Sequence, residues 1–379
     1  MSALSRKTRL LSVVLLFPAA VLAAPPANTM FIDAWSRADE FTAARGVRKA
    51  AEPRELKRTE PSADIKALVE SFLDAHPNTG LLVAMGDTVY VERYQYGRTA
   101  GHRFASASVA KTVLGMLVGI AVHENKLSLD ARAEQYVPAL KGHPYGETTI
   151  RDLLTMSSGI AFNETYKGRD DVAKLHGDSV GRMTEGGVET ILGFKQREAP
   201  AGTRFKYASA DSQVLGLALT AAVKQPLATY LSEKIWQPMG AEANATWLLD
   251  KGGYEAAYCC INAILRDYAR FGMLLANYGA LDGKQIIPAE WVKVATTPGA
   301  PHLAVGTATT FNGYGYQTWV THRTEPRFAA LGIHGQAIYI DPKSRIVVVH
   351  TAAWADPADR AERGAQFRLW DNLLARLPH

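Results

Sequence analysis

Arg103-Phe104-Ala105-Ser106-Ala107-Ser108-Val109-Ala110-Lys111-Thr112 leads directly into Val113-Leu114-Gly115-Met116-Leu117-Val118-Gly119-Ile120-Ala121-Val122. Leu114, Leu117, Val118 and Ala121 recur at helical spacing, which predicts a buried helix over about 108–123. Ser106 or Ser108 stands where an N-cap belongs. Positions i and i+3 share a helix face, so the Lys111 amine can reach the Ser108 hydroxyl one turn below it. The start of a helix also offers unpaired N–H groups and a partial positive charge, a setting in which negative charge can develop on a nucleophile's product. The ordinary alternative is a capping Ser beside a solvated Lys. Against it, Lys111 is embedded among Val109, Ala110, Val113 and Leu114, and Ser108–Lys111 is the one Ser-x-x-Lys pair in the chain.

The chain has 379 residues, 47% hydrophobic and 21% charged, an ordinary globular balance for one large domain or two intimate ones. Its formal net charge is +5, and Arg6, Lys7 and Arg9 supply three of those charges. No basic run is interleaved with aromatics, so nucleic acid is not an expected partner. Arg6-Lys7-Thr8-Arg9, the apolar stretch 10–22 and the small residues around Ala23 read as a signal peptide over 1–23, cut before Ala24. That predicts an exported protein, periplasmic or secreted, with no stable membrane span after cleavage; no later stretch is apolar for long enough to cross a bilayer. Cys259 and Cys260 are adjacent. Neighbours cannot close a stabilising loop, and they are expected to be buried small apolar residues rather than a strained vicinal disulfide.

Residues 24–60 are mixed and charged, and read as an extended N-terminal arm. An amphipathic helix over 63–76 precedes strands at 79–85 and 89–96, turned at Gly86-Asp87. After the Ser108 helix, residues 126–275 are mostly helical. They include a short helix ended by Gly159, a polar loop over 164–187 long enough to be a lid, helices at 212–223 and 227–236, and another at 262–276. The last hundred residues return to strands at 314–321, 328–333, 336–340 and 346–351, with a closing helix at 367–377. The expected fold is α/β (α+β). An antiparallel sheet drawn from both chain ends and flanked by helices (61–125 and 276–379) would carry an inserted, mostly helical lobe (126–275), with the cleft between them.

A Ser nucleophile needs a base and donors for an oxyanion. His-Glu-x-x-His and paired Cys-x-x-Cys are absent, so no zinc site is signalled. Two further stretches stand in suggestive order: Phe205-Lys206-Tyr207-Ala208-Ser209 before a helix, and Gly332-Ile333-His334-Gly335-Gln336-Ala337-Ile338 on an expected strand. With Ser108-x-x-Lys111 they resemble the penicillin-recognising serine hydrolases: class C β-lactamases, DD-peptidases and their esterase relatives. The likeness runs from about residue 61 to the C-terminus and includes Leu153-Leu154-Thr155-Met156-Ser157-Ser158-Gly159. Two departures stand out. Ser209 occupies the place where β-lactamases usually have Asn, and His334-Gly335-Gln336 replaces Lys-Thr-Gly. A neutral or titrating His is a poorer anchor for the carboxylate of a penicillin. Asn163-Glu164-Thr165-Tyr166 and the segment from Asn262 to Gly272 resemble the 6-aminohexanoate-dimer hydrolases, which cleave a linear amide and short esters.

The resemblance implies Ser108, Lys111 and Tyr207 as the catalytic set, without metal or cofactor. The N–H groups of Ser108 and Ala337 are the expected oxyanion donors. Free Lys and Tyr titrate near ~10.4 and ~10, so either must be shifted to act as a base at neutral pH. Burial of Lys111 disfavours its cation, and a neighbouring cation favours a Tyr207 phenolate. Which of the two takes the proton stays open. Tyr166, Ser209, Asn262, His334 and Gln336 are candidates to touch substrate. The first four have plainer alternatives: a half-buried loop Tyr, a helix start, a helix cap, and a neutral His bonded to backbone. Asp178 is a weaker candidate for a substrate amine and is expected to be solvated. Trp236, Trp247, Trp319 and Trp354 are expected in the core. The expected activity is hydrolysis of a small-molecule amide or ester through an acyl-enzyme. A β-lactamase or DD-peptidase, and a non-catalytic binder on the same fold, are the alternatives. Oligomeric state is not encoded in any pattern found.

Overall fold

The computed structural model describes Ile32, Trp35 and residues 37–377. The expected signal segment lies outside the described residues. The arm does not stay extended. Ala38–Phe41 (α1) is a helical turn, Ala44–Val47 (β1) is a strand, and Lys57–Arg58 (β2) is a short edge strand. Then come Ala63–Ala75 (α2), Asn78–Met85 (β3), Thr88–Tyr94 (β4), Phe104–Ala105 (β5) and Val109–His123 (α3). The helical lobe contributes Ile150–Leu154 (α4), Asp171–His176 (α5), Gly187–Ile191 (α6), Ser209–Val223 (α7) and Leu227–Leu231 (α8). Ala245–Leu248 (β6), Ile261–Ala263 (β7), Leu265–Ala276 (α9), the Ala280–Leu281 (β8) and Lys284–Gln285 (β9) hairpin, and Ala289–Ala295 (α10) follow. Gly313–Tyr314 (β10), Trp319–Val320 (β11), Phe328–Leu331 (β12), Ala337–Asp341 (β13), Ile346–Ala352 (β14) and Arg360–Arg376 (α11) complete the chain.

The main sheet has the order β10-β11-β12-β13-β14-β3-β4-β2 and is antiparallel except where β2 meets β4. Its centre joins the two ends of the chain, with Val348 opposite Val83 and Val349 opposite Leu82. Strand residues alternate faces. Leu81, Val83, Ile346 and Val348 therefore pack beneath α2 and α11 with Val69, Phe72, Leu369, Trp370 and Leu373. Leu82, Ala84, Val347 and Val349 pack on the opposite face, in the core that holds α3 and α9. Helices on both faces explain why residues 81–85 of β3 and 346–349 of β14 read as unbroken apolar runs. Each fully buried Leu or Val there contributes about 1.5–3 kcal/mol.

α3 is buried from Val109 to Ala121, on all sides. Two glycines allow this. A Cβ at Gly119 would lie 2.2 Å from the Trp291 ring, and one at Gly115 would lie 2.9 Å from Tyr316 O. α10 thus lies directly on α3, and Trp291 Nε1 donates to Gly115 O at 3.0 Å.

The structure redraws several expectations. β1 pairs with β6 (Ala44 opposite Leu248), inside a second sheet of order β1-β6-β7-β5. Backbone pairing needs no apolar run, so a charged segment gave no sign of it. α9 packs on β13 and β14, where a Gly272 Cβ would meet Val347 at 2.5 Å; it belongs with the main sheet and not with the helical lobe. Residues 164–187 are not one loop. Asp170 caps α5 by accepting from Ala173 N, and a wide turn at Gly177–Gly181 follows. Asp178 is ion-paired with Lys174 and Arg182 rather than solvated. α11 begins earlier than expected, because Asp359 caps it by accepting from Ala361 N and Glu362 N. Cys259 and Cys260 are joined in a disulfide, contrary to expectation. The covalent ring fits because Cys260 takes a left-handed backbone, φ 76°, that composition cannot reveal.

Candidate active site

Ser108 occupies the N-cap of α3, but its side chain makes no capping bond. Its hydroxyl instead meets Lys111, whose Nζ donates to Ser108 Oγ at 2.9 Å, to Ser209 Oγ at 3.1 Å and to Tyr258 O at 2.7 Å. Lys111 is 1% exposed, so the helix face chosen by its apolar neighbours carries the amine inside the protein. Tyr207 lines the same cleft as Ser108, and Lys111 Nζ lies 5.0 Å from the Tyr207 ring centroid. The Tyr207 ring is itself held, stacked on Trp319 at 5.2 Å and edge-on to Tyr314. The structure therefore brings Ser108, Lys111 and Tyr207 together.

Burial sets the protonation. It pushes the Lys111 amine down to about 8, against the opposing pull of the Glu164 carboxylate. It pushes the Tyr207 phenol well up, with Glu164 adding to the shift and the Ser108 hydroxyl opposing it. The expected phenolate is therefore corrected: a low-dielectric pocket penalises both charges, and it leaves a phenol beside an amine that can lose its proton near neutral pH.

Glu164 is a functional neighbour that sequence reasoning missed. Its carboxylate accepts from Ser209 N at 2.6 Å, from Ser209 Oγ at 2.8 Å and from the Tyr166 hydroxyl. It lies in the Asn163–Tyr166 stretch already singled out, where only Tyr166 drew notice. The Tyr258 carbonyl was also missed, since a backbone acceptor leaves no side-chain signal. Beneath these groups Asp211 is fully buried, bound by Tyr145 Oη at 3.0 Å and Ser158 Oγ at 2.8 Å, and burial pushes its carboxyl up to about 7.

The remaining candidates divide. Tyr166 lines the cleft. Ser209 both opens α7 and holds Lys111 and Glu164; it is buried and outside the cleft lining, so it is not a substrate contact. Asn262 is neither a cap nor a partner of Lys111. It lies in β7 opposite Ala105, its Nδ2 on Thr246 Oγ1 and Cys260 O. His334 is not on a strand but in the turn Ile333–Gly335, with φ 56°. Its Nδ1 meets Trp354 O at 2.6 Å, its N–H donates to Pro357 O, and burial keeps it neutral. Gln336 is turned inward: its amide donates to His334 O and Ala352 O and accepts from Ala352 N. Ala337 lies in β13, paired with Leu331 on one side and His350 on the other. The backbone against Ser108 is Gly332, where a Cβ would lie 2.7 Å from Ser106 O and 3.0 Å from Ser108 N. Trp236, Trp247 and Trp354 are buried core residues, whereas Trp319 is half-buried and lines the cleft.

That cleft has a volume of about 720 Å³, with Ser108 and Tyr207 at its base and Tyr166, Phe311, Trp319 and Ile333 among its walls. A larger depression of about 1390 Å³ lies between Gly86 and Arg345; its Ser344 hydroxyl is bound to Asp341, and its Lys343 amine is turned to Glu325. Chemistry, not size, points to the smaller one. Among the described residues, the group that could offer three metal donors is His176, Cys259 and Cys260, whose two sulfurs are bonded to each other.

Known proteins fit this geometry. The family model described as Beta-lactamase matches residues 65–369. A 6-aminohexanoate-dimer hydrolase of Paenarthrobacter ureafaciens is 27% identical over 334 residues, 86% of this chain and 85% of that one. Among solved structures, the "Putative 6-aminohexanoate-dimer hydrolase from Bacillus anthracis" superposes with a TM-score of 0.83 at 25% identity, covering 94% of this chain and 96% of that one. A family VIII carboxylesterase shares the fold, with a TM-score of 0.63 at 16% identity over 86% of this chain and all of that one.

Proposed function

The chain belongs to the Beta-lactamase family, and from that premise we propose that it is an exported serine hydrolase that cleaves a linear amide or ester through an acyl-enzyme on Ser108. One observation carries this: a buried amine 2.9 Å from the Ser108 hydroxyl, in a cleft that the Tyr207 phenol also lines. The Lys111 amine, in its neutral form, takes the Ser108 proton as Oγ attacks the substrate carbonyl. With its phenol held protonated, Tyr207 is a donor that relays this proton to the leaving nitrogen or oxygen. Water then attacks the acyl-enzyme by the reverse route. The oxyanion lies between the N–H of Ser108 at the start of α3 and the N–H of Ile333, next to the Gly332 contact, in place of the expected Ala337.

A linear substrate is favoured over a penicillin, because the turn that replaces Lys-Thr-Gly presents no cation: His334 is buried, neutral and bonded to backbone. Likeness to the 6-aminohexanoate-dimer hydrolase of Paenarthrobacter ureafaciens supports amide or ester cleavage. The amine anchor considered at Asp178 is already ion-paired, so an amine-terminated substrate has no support from that residue.

Incubation with a short-chain nitrophenyl ester should add one acyl mass to the intact protein, and Ser108→Ala should add none. Turnover of a chromogenic cephalosporin without turnover of the ester would overturn the linear-substrate reading. A protein that a fluorophosphonate leaves unlabelled would be a binder. Export is tested by expression in a bacterial host, with a mature N-terminus at Ala24 in the periplasm or medium as the expected result.

A further inference from the structure

Of the three acceptors that hold Lys111, two are hydroxyls and the third is the Tyr258 carbonyl, at 2.7 Å. That carbonyl leads into the Cys259–Cys260 disulfide, which closes a small covalent ring within the chain. Cys260 has φ 76°, a backbone region that a residue with a Cβ rarely occupies unless something holds it there. The turn is fastened on both sides. Cys259 O accepts from Trp247 Nε1 and Cys260 O from Leu248 N, which tie it to β6. Ile261 O accepts from Ser106 N and Ile261 N donates to Ser106 Oγ, which tie it to the residue two before the nucleophile. A short covalent ring thus stands between the segment that positions Lys111 and the segment that positions Ser108.

The same ring is within reach of solvent. Cys260 is half-buried, and the exposed His176 brings a ring nitrogen within 4.8 Å of both sulfurs. His176 Nδ1 also meets the Tyr258 hydroxyl at 3.2 Å, and the Tyr258 ring centroid is 5.8 Å from Lys111 Nζ. One side of the turn faces water and the other faces the base.

We propose that the Cys259–Cys260 disulfide is a positioning device for the catalytic amine, and that its reduction detunes the enzyme. This rests on Lys111 being the base. The chemistry is an exchange with a dithiol reductant. Two electrons and two protons pass from the dithiol to the cystine, the S–S bond breaks, two thiols form, and the reductant becomes a disulfide. Without its ring the Cys260 backbone relaxes out of the left-handed region, and the Tyr258 carbonyl moves from Lys111. A carbonyl that accepts from an ammonium favours the charged form, so its loss lowers the pKa of the amine.

The test compares the oxidised full-length protein, the same protein reduced with dithiothreitol and alkylated, and C259S/C260S. Intact mass should show two alkylated thiols only after reduction. The reduced enzyme should lose about tenfold in kcat while KM stays within about twofold, as expected for a misplaced catalytic group. Its kcat/KM profile should shift its rising limb to lower pH, which mere loosening of structure would not do. C259S/C260S should reproduce both effects without reductant, with a circular dichroism spectrum like that of the wild type, and should ignore dithiothreitol. Two free thiols in the untreated protein overturn the proposal. So does a folded C259S/C260S with unchanged kcat and unchanged limb. Lys111→Met separates the two ideas: if it keeps its rate, the base assignment fails; if it loses its rate while C259S/C260S does not, only the disulfide's role fails.

Discussion

Two turns face each other across the cleft, and the chain encodes them differently. On one side Ser108 and Lys111 stand on α3, where the apolar periodicity of Leu114, Leu117 and Val118 fixes the rotation of the helix and so the direction of the amine. On the other side Gly332–Gln336 is a turn between β12 and β13, in which His334 and Gly335 both have positive φ. A helix transmits geometry along the sequence, so one motif placed two side chains correctly. A left-handed turn breaks the alternation of a strand, so the facings expected of His334 and Gln336 did not hold. His334 and Gln336 build the turn, and Gly332 delivers its backbone to the nucleophile.

The sharpest test of the first side is Lys111→Met, which should cost at least about a thousandfold in kcat. Its melting temperature should hold or rise, since an apolar side chain replaces a buried amine that water would otherwise solvate. A collapse in melting temperature of similar severity would make Lys111 structural instead. On the other side the corresponding change is Gly332→Ala. Its Cβ would meet backbone at Ser106 and Ser108 rather than a movable side chain, so kcat should fall about a hundredfold. An alanine tolerated at full rate would mean the two turns lie farther apart than described.

Protonation distinguishes the sides next. Burial holds Lys111 near about 8, and the neutral amine is the reactive form, so kcat/KM should rise with pH through that value. A profile flat from pH 6 to 9 would remove the amine as base. His334→Gln, across the cleft, should leave the position of that limb unchanged and alter kcat by less than about threefold, while lowering thermal stability. A moved limb would return His334 to the chemistry.

Asp211 gives the smallest effect. Its folded pKa, about 7, is raised above the unfolded carboxyl value. The folded state therefore holds this proton more tightly, and the stability it lends is complete below about pH 4 and lost as pH rises through about 7. Asp211→Asn should flatten the decline in melting temperature between pH 5 and 8. Lys111 works in the opposite sense at higher pH, because its folded pKa is lowered; stability should recover as pH climbs above about 8 toward the free amine's value.

What the sequence made legible follows the same division. Alternating or continuous apolar residues gave β3, β4, β13 and β14, and helical periodicity gave α2, α3 and α9, because burial is written in side chains. The pairing of Ala44–Val47 with β6 was not legible, since hydrogen bonds between backbones are indifferent to the charged residues that carry them. Glu164 was quoted within a motif yet passed over, because its importance comes from Ser209, which is close only in space. The Tyr258 carbonyl left no trace at all. The cleft's aromatic wall was half seen: Trp354 is buried as expected, while Trp319 has the composition of a core residue and only tertiary placement turns it toward the opening.

The pairing of β14 with β3 has a consequence for how the molecule comes into being. The partners of Leu82 and Val83 are Val349 and Val348, so a nascent chain that has emerged only as far as residue 340 has an open seam along the middle of its largest layer. Non-local strand pairing of this kind is slow, and it exposes sticky edges while it waits. The Gly332 turn, anchored through Trp354, Pro357 and Ala352, cannot be set before that seam closes. Synthesis must therefore run past Pro357 before the first bond can be cut.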